Sequence, residues 1–184
     1  MKTRCHSLRQ QRRAIKPHER ESFAKNLALQ AKRVIKIQYK YKVALYLEND
    51  GEINPKYIKK WLNLQKIELY LPVLVKKSLK FAKIGEKFKK NRFGINEPDT
   101  SVLLNANQMN IILMPLVGFD VNKNRIGMGG GFYDRTLAFK KRQGQYTNPK
   151  LCGLAFDCQK VDKIEPKAWD IPLDMVITPT TIYR

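Results

Sequence analysis

Met109-Asn110-Ile111-Ile112-Leu113-Met114-Pro115-Leu116-Val117 is the most hydrophobic segment of the chain. A run this short and this continuously apolar is the pattern of a strand buried on both faces, which places it centrally in a parallel sheet. Upstream, Val43-Ala44-Leu45-Tyr46-Leu47 is a second run rich in strand formers, followed by the turn signal Asn49-Asp50-Gly51. Between the two, residues 67–71 read as a strand, and Leu79, Phe81 and Ile84 mark another, less clearly patterned, ahead of the polar segment 91–100. Downstream, residues 151–156 and 174–178 read as two more strands.

Helical spacing fills the intervals. Residues 3–15 read as a basic helix that ends before Lys16-Pro17, and Pro17 opens the next helix at its first turn. Phe23, Leu27, Ala31, Val34 and Ile35 recur there as a core-facing stripe. Pro55 starts a helix with Tyr57, Ile58, Trp61, Leu62 and Leu64 on one apolar face, and residues 132–142 can form a further helix. The alternation of strand and helix predicts the α/β class, a sheet covered by helices in a single domain over residues 1–184.

Composition bounds the function. With 184 residues, 43% hydrophobic and 28% charged, the chain has the size and apolar content of one globular domain with a core. Its longest apolar stretch, 111–117, contains Pro115, whereas a bilayer span needs about 20 apolar residues. The basic N-terminus lacks a following apolar stretch, so the expectation is a cytoplasmic protein without a membrane partner. Cys5, Cys152 and Cys158 include no C-x-x-C pair, and His6 and His18 lie near one end, which encodes neither a disulfide framework nor a zinc site. Cys152 and Cys158 read as small, partly buried residues. A net charge of +20 fits nucleic acid, small anionic substrates or a generally basic proteome. Lysine and arginine are spread along the chain without an aromatic-interleaved repeat, so nucleic-acid binding ranks second and no specific nucleic acid is expected.

Chemistry concentrates after the central strand, in Gly118-Phe119-Asp120-Val121-Asn122-Lys123-Asn124-Arg125-Ile126-Gly127-Met128-Gly129-Gly130-Gly131-Phe132-Tyr133-Asp134-Arg135. In open α/β sheets ligands gather beyond the carboxyl ends of strands, and a helix start offers free N–H groups to phosphate. Four glycines within residues 127–131 let the backbone approach an anion closely, and Arg125 can add a charge-assisted contact. The loop is neither G-x-x-x-x-G-K-[ST] nor G-x-G-x-x-G, because position 132 is Phe. A glycine cluster alone is as readily a flexible turn as a ligand site. The flanking Arg125, Tyr133, Asp134 and Arg135 tilt the balance toward function.

Asn124-Arg125-Ile126-Gly127-Met128-Gly129-Gly130-Gly131-Phe132-Tyr133-Asp134-Arg135 is similar, without a gap, to the signature of the 5-formyltetrahydrofolate cyclo-ligase family. Supporting segments follow in order: the basic first helix, residues 45–53, Phe93-Gly94-Ile95-Asn96-Glu97-Pro98, Gly153-Leu154-Ala155-Phe156 and Asp170-Ile171-Pro172-Leu173-Asp174. The resemblance covers nearly the whole chain. It implies a three-layer domain and conversion of 5-formyltetrahydrofolate to 5,10-methenyltetrahydrofolate, driven by ATP and Mg²⁺ with release of ADP and phosphate. It implies that Arg9, Arg125, Ile126, Gly127, Met128, Gly129, Gly130, Gly131, Phe132 and Tyr133 bind ATP. Leu47, Glu52, Met128, Gly129, Gly130, Gly131 and Phe132 take the folate, and Asp134 and Asp170 bind Mg²⁺. Arg125 is the candidate electrostatic stabiliser, and no general base is assigned.

Two positions depart from the family pattern: Cys5 stands where a basic residue contacts ATP, leaving Arg4 or Lys2 to reach the phosphates, and Gly130 stands where some members have lysine. Without the resemblance, Asp134 reads as a helix-start carboxylate and Asp170 as a turn residue. On the same footing Leu47 is a strand-end core residue and Glu52 a solvated turn acid, while Phe132 and Tyr133 are as readily rings stacked on a ligand as side chains packing the helix start.

Overall fold

The computed structural model describes residues 2–143 and 148–184. The chain runs α1 (Lys2–Ala14), α2 (Pro17–Val34), β1 (Lys42–Ala44), α3 (Lys56–Leu64), β2 (Glu68–Val75), β3 (Ser78–Lys83), β4 (Phe88–Lys90) and β5 (Asn96–Pro98). It continues through β6 (Ile111–Pro115), β7 (Gly118–Phe119), β8 (Arg125–Ile126), α4 (Phe132–Leu137), α5 (Lys140–Gln143), β9 (Lys150–Leu154), β10 (Met175–Ile177) and β11 (Ile182–Tyr183).

Seven strands form one sheet in the order β11-β10-β9-β6-β1-β2-β3. The segment at 109–117 supplies β6, fourth in that order and parallel to both neighbours, in the register Val43↔Ile111 and Ile112↔Leu151. Strands β10, β9, β6, β1 and β2 are parallel, and β3 and β11 close the edges antiparallel. This is the expected α/β architecture, a largely parallel sheet with helices around it. Strand order reverses between β1 and β6: the chain moves outward from β1 to β2, then returns to β6 on the other side of β1 and moves outward again. A crevice opens at such a switch point beyond the strands' carboxyl ends.

Both faces of the sheet are covered, so successive side chains enter different cores. Val43, Leu45, Ile111, Leu113, Cys152 and Leu154 join Leu27, Ala31, Ile58 and Leu62 of α2 and α3. Ala44, Ile112, Met114 and Leu151 join Phe81, Phe119, Leu137 and Leu173 on the opposite face. Double burial is the reason the central segment is continuously apolar.

Several elements differ from the sequence reading. Leu64 is 72% exposed, because two residues beyond buried Leu62 is roughly 200° around a helix. Strand β2 runs past Leu71 to Val75 and pairs with β3 through Pro72↔Phe81. Leu45 N–H donates to the Tyr70 carbonyl at 2.9 Å, and Pro72, without an N–H, cannot continue the ladder toward β1. The helix expected over 132–142 is split into α4 and α5. Thr136 Oγ1 bonds back to the Phe132 carbonyl (2.7 Å) and accepts from Leu79 N–H (2.8 Å), and Arg142 N–H returns to Phe139 three residues earlier. The polar segment 91–100 holds one strand of the β4–β5 hairpin, whose turn is built on Asn91 Oδ1 accepting from Phe93 and Ile95 N–H. Cys152 is buried as expected, whereas Cys158, on a short 3-10 turn, is exposed.

Candidate functional site

At the carboxyl end of β1 the chain turns sharply through Asn49-Asp50-Gly51-Glu52, with Glu52 N–H donating to the Asn49 carbonyl at 3.0 Å. Asp50 (φ 54°) and Gly51 (φ 74°) are both left-handed, the backbone for which Asp-Gly is suited. Space is also tight, since a Cβ at 51 would stand 3.1 Å from Arg13 Cγ. Arg9 Nε and Arg12 Nη2 each lie 2.7 Å from Asp50 Oδ2, and Arg13 pairs with Oδ1. From α2, Arg20 donates to the Gly51 carbonyl at 3.0 Å and to the Arg12 carbonyl.

Arg12 is the innermost of these, with no exposed surface. Its Nη1 donates to the Leu116 carbonyl at the end of β6 (2.9 Å), and Nη2 stands 4.0 Å from Glu52 Oε1 and 3.9 Å from Met128 Sδ. Gln159 Nε2 donates to the neighbouring Val117 carbonyl at 3.0 Å. The backbone groups at the switch point are therefore bonded to side chains from α1 and from the turn after β9.

Glu52, expected as a solvated turn acid from spacing alone, keeps only 10% of its side chain exposed. Burial pushes its carboxyl up to about 7; the facing Arg12 and the Asn49 N–H oppose that rise, and Glu48 adds to it. Burial raises the Tyr133 hydroxyl, and the charge of Glu52 adds to the rise. Leu47 is half-buried and packs against the α2–α3 core.

The glycine loop leaves a hairpin of β7 and β8, held by buried Asp120, which accepts from Asn124 N–H (3.0 Å), Asn124 Nδ2 (3.0 Å) and Ile164 N–H (3.0 Å). Gly127, Met128, Gly129 and Gly130 are exposed. Gly129 (φ 87°) and Gly131 (φ 60°) are left-handed, and a Cβ at Gly130 would lie 2.5 Å from the Phe132 ring. A Cβ at Gly127 would meet nothing within 4 Å, so the chain's own packing does not require glycine there. Gly131 caps α4 without a side-chain hydrogen bond. Phe132 packs edge-on against Phe93 at 5.8 Å, with Arg92 and Arg135 over its ring.

Arg125 is nearly buried, pairs with Asp134 and donates to the Ile171 carbonyl. The residue expected to stabilise phosphate and one expected metal ligand are thus partners. Asp134 Oδ1 also lies 3.4 Å from Ile171 N, and Asp170 Oδ2 accepts from Lys167 N–H at 2.9 Å. Asn124, Arg125, Lys167, Asp170, Ile171 and Pro172 line a cleft of about 260 Å³. Among the described residues no group of three His, Cys, Asp or Glu side chains could cage a metal ion. Asp170 lines this cleft, and Asp134 stands behind it, bonded to its Arg125 and Ile171; oxygen donors of this kind suit Mg²⁺, which completes its shell with water and phosphate oxygens.

Arg12, Asp50 and Gln159 were not among the expected site residues. Arg12 stands four residues after buried Leu8, on the inward face of α1, but in so basic a helix nothing in the sequence sets it apart from its neighbours. Cys5 packs against Leu8, Val117 and Val161, and the side chains of Lys2 and Arg4 lie outside the described residues.

The model of the 5-formyltetrahydrofolate cyclo-ligase family matches residues 2–179. The chain is 37% identical over 180 residues to 5-formyltetrahydrofolate cyclo-ligase of Haemophilus influenzae, covering 94% of this chain and 92% of that one. It is 34% identical over 184 residues to the Escherichia coli (strain K12) protein of the same name, covering 96% and 99%. The solved structure of 5,10-methenyltetrahydrofolate synthetase from Aquifex aeolicus superposes with a TM-score of 0.83 at 26% identity, over 100% of this chain and 91% of that one.

Proposed function

The chain belongs to the 5-formyltetrahydrofolate cyclo-ligase family, a family of ligases, and from that premise we propose that it uses ATP and Mg²⁺ to cyclise 5-formyltetrahydrofolate to 5,10-methenyltetrahydrofolate. The formyl oxygen attacks the γ-phosphorus of ATP and ADP leaves. N10 then attacks the activated formyl carbon, phosphate departs with the former formyl oxygen, and the N10 proton is lost. Phosphorylation is needed because a formamide oxygen is otherwise a poor leaving group. Such a transfer depends on positioning and charge neutralisation, for which this site has parts, and needs no Ser-His or Cys-His nucleophile.

One observation supports the reading: Arg12 reaches both Glu52 of the turn and Met128 of the glycine loop, so the two segments assigned to folate and nucleotide lie near each other at the switch point. In this assignment the amides of residues 127–131, the first four of these residues exposed, take the phosphates, and close approach of that ligand accounts for Gly127. Arg9, about a third exposed with Nε engaged by Asp50, offers its outer nitrogens to the same phosphates, and Tyr133 is assigned to the nucleotide with them. Leu47 and Phe132 give apolar surface to the folate and Glu52 accepts from its N–H groups. Asp134 and Asp170 would hold Mg²⁺, which when bound neutralises charge on the phosphates. Arg125 holds Asp134 in place and backs the phosphate side electrostatically.

Purified protein with ATP, Mg²⁺ and 5-formyltetrahydrofolate should develop the near-ultraviolet absorbance of the methenyl product. ATP turnover without that absorbance would sink the assignment in favour of another phosphotransfer.

A further inference from the structure

Arg12 touches three separate pieces of the site without reaching solvent. Its Nε donates to the Asp50 carbonyl at 3.0 Å, Nη2 pairs with Asp50 Oδ2 at 2.7 Å, and Nη1 donates to the Leu116 carbonyl at 2.9 Å. The same Nη2 stands 4.0 Å from Glu52 and 3.9 Å from Met128 Sδ. This arrangement needs a planar fork with five donors, which lysine does not have.

We propose that Arg12 is the positioning residue for Glu52, fixing the turn that bears this carboxylate against the end of β6 and supplying the positive charge that faces it. The inference rests on the reading of Glu52 as a folate contact.

Holding the turn alone does not require Arg12. Arg9 and Arg13 already pair with Asp50, and Arg20 bonds the Gly51 carbonyl. Among the described residues, what distinguishes Arg12 is its simultaneous reach to Leu116, Glu52 and Met128. The groups facing Glu52 from each side are Arg12 of α1, Glu48 of the same turn, Tyr46 after β1 and Tyr133 of α4. Of these, Arg12 is the cation. Tyr46 gives its hydroxyl proton to the Ile53 carbonyl at 2.6 Å and so does not serve Glu52. Without Arg12 the carboxylate would face another acid and two phenols in a dry setting, and would take up a proton. A protonated Glu52 has lost acceptor capacity toward the folate N–H groups.

The test compares Arg12→Gln, Arg12→Lys and Glu52→Gln with the unaltered protein, measuring kcat and KM for folate and for ATP between pH 6 and 9, with folding checked by circular dichroism. Arg12→Gln is expected to raise the folate KM at pH 7 about tenfold. The rise of folate affinity with pH should move upward by about one pH unit, with the ATP KM within about twofold of the original. Arg12→Lys restores the cation without the fork, so the pH profile should return while part of the KM defect stays. A folded Arg12→Gln protein with an unmoved pH profile, beside a Glu52→Gln protein that has lost folate affinity, overturns the inference alone. A Glu52→Gln protein with an unchanged folate KM overturns the reading of Glu52 and the inference together. Should Arg12→Gln fail to fold, the lysine variant decides: a folate KM equal to that of the unaltered protein counts against the role of the fork.

Discussion

The turn at Asp50 and the glycine loop both meet Arg12 and are built in opposite ways. Around Asp50 the chain spends charge: three guanidinium groups converge on one carboxylate that is 9% exposed, and Arg12 is sealed beneath it. Around Gly129 the chain spends nothing but backbone, with four consecutive exposed residues and left-handed glycines at 129 and 131. The first region is organised before any ligand arrives. The second offers amides whose arrangement a phosphate can complete. An organic ring read by a few hydrogen bonds rewards a fixed partner, whereas a phosphate chain rewards many convergent N–H groups.

Breaking the charged region should have the largest effect. Asp50→Ala leaves the buried Arg12 guanidinium without its carboxylate, and should destabilise the protein by about 3–5 kcal/mol in urea unfolding. A loss below about 1 kcal/mol would show that Arg9, Arg12 and Arg13 are held by something other than Asp50.

Glu52→Gln sharpens the comparison, because stability and function should part. A carboxyl raised by burial to about 7 in the folded protein, from an ordinary value of 4.5, binds its proton more tightly folded than unfolded. Its contribution to stability therefore falls as pH rises from 4.5 to about 7, and by pH 8 the ionised form costs up to about 3 kcal/mol. Glu52→Gln should be more stable than the original at pH 8 and show little difference at pH 4.5. In binding, it should lose about 1–3 kcal/mol, roughly five- to a hundredfold, toward 5-formyltetrahydrofolate, with ATP nearly unchanged. Equal small effects on both ligands would return Glu52 to the role of a plain turn acid.

In the glycine loop, backbone and ligand effects can be separated by position. Gly129→Val forces a β-branched residue to φ 87° and should cost about 1–2 kcal/mol of stability as well as nucleotide affinity. Gly127→Ala places a methyl in open space, so stability should stay within about 0.5 kcal/mol while nucleotide affinity falls. Calorimetric nucleotide titrations that overlay for Gly127→Ala and the original protein would remove that residue from the phosphate site. The smallest effect on the fold belongs to Asp170→Asn, whose carboxylate bonds one backbone N–H in its own turn. With Asp134→Asn it should raise the Mg²⁺ concentration needed for activity, and magnesium titrations identical to the original for both variants would discard the metal assignment.

How much of this was legible follows from where each signal is stored. The sequence by itself determined the α/β class and the central place of residues 109–117, because a strand buried on both faces must be apolar at every position, whatever its partners. It also located the glycine loop, because left-handed backbone at 129 and 131 and the Phe132 ring over 130 leave glycine as the residue that fits. The β4–β5 hairpin and the run of β2 through Pro72 were hidden, since both are decided by which strand lies alongside. The charged half of the site was hidden for the same reason. In the sequence Arg12 is one basic residue in a basic helix, and its partner at Leu116 is 104 positions away. Whether an arginine is solvated or sealed depends on what the rest of the chain brings to it. Only the tertiary structure, by setting α1 across the reversal between β1 and β6, made Arg12 part of the site and gave Glu52 a dry, charged surrounding.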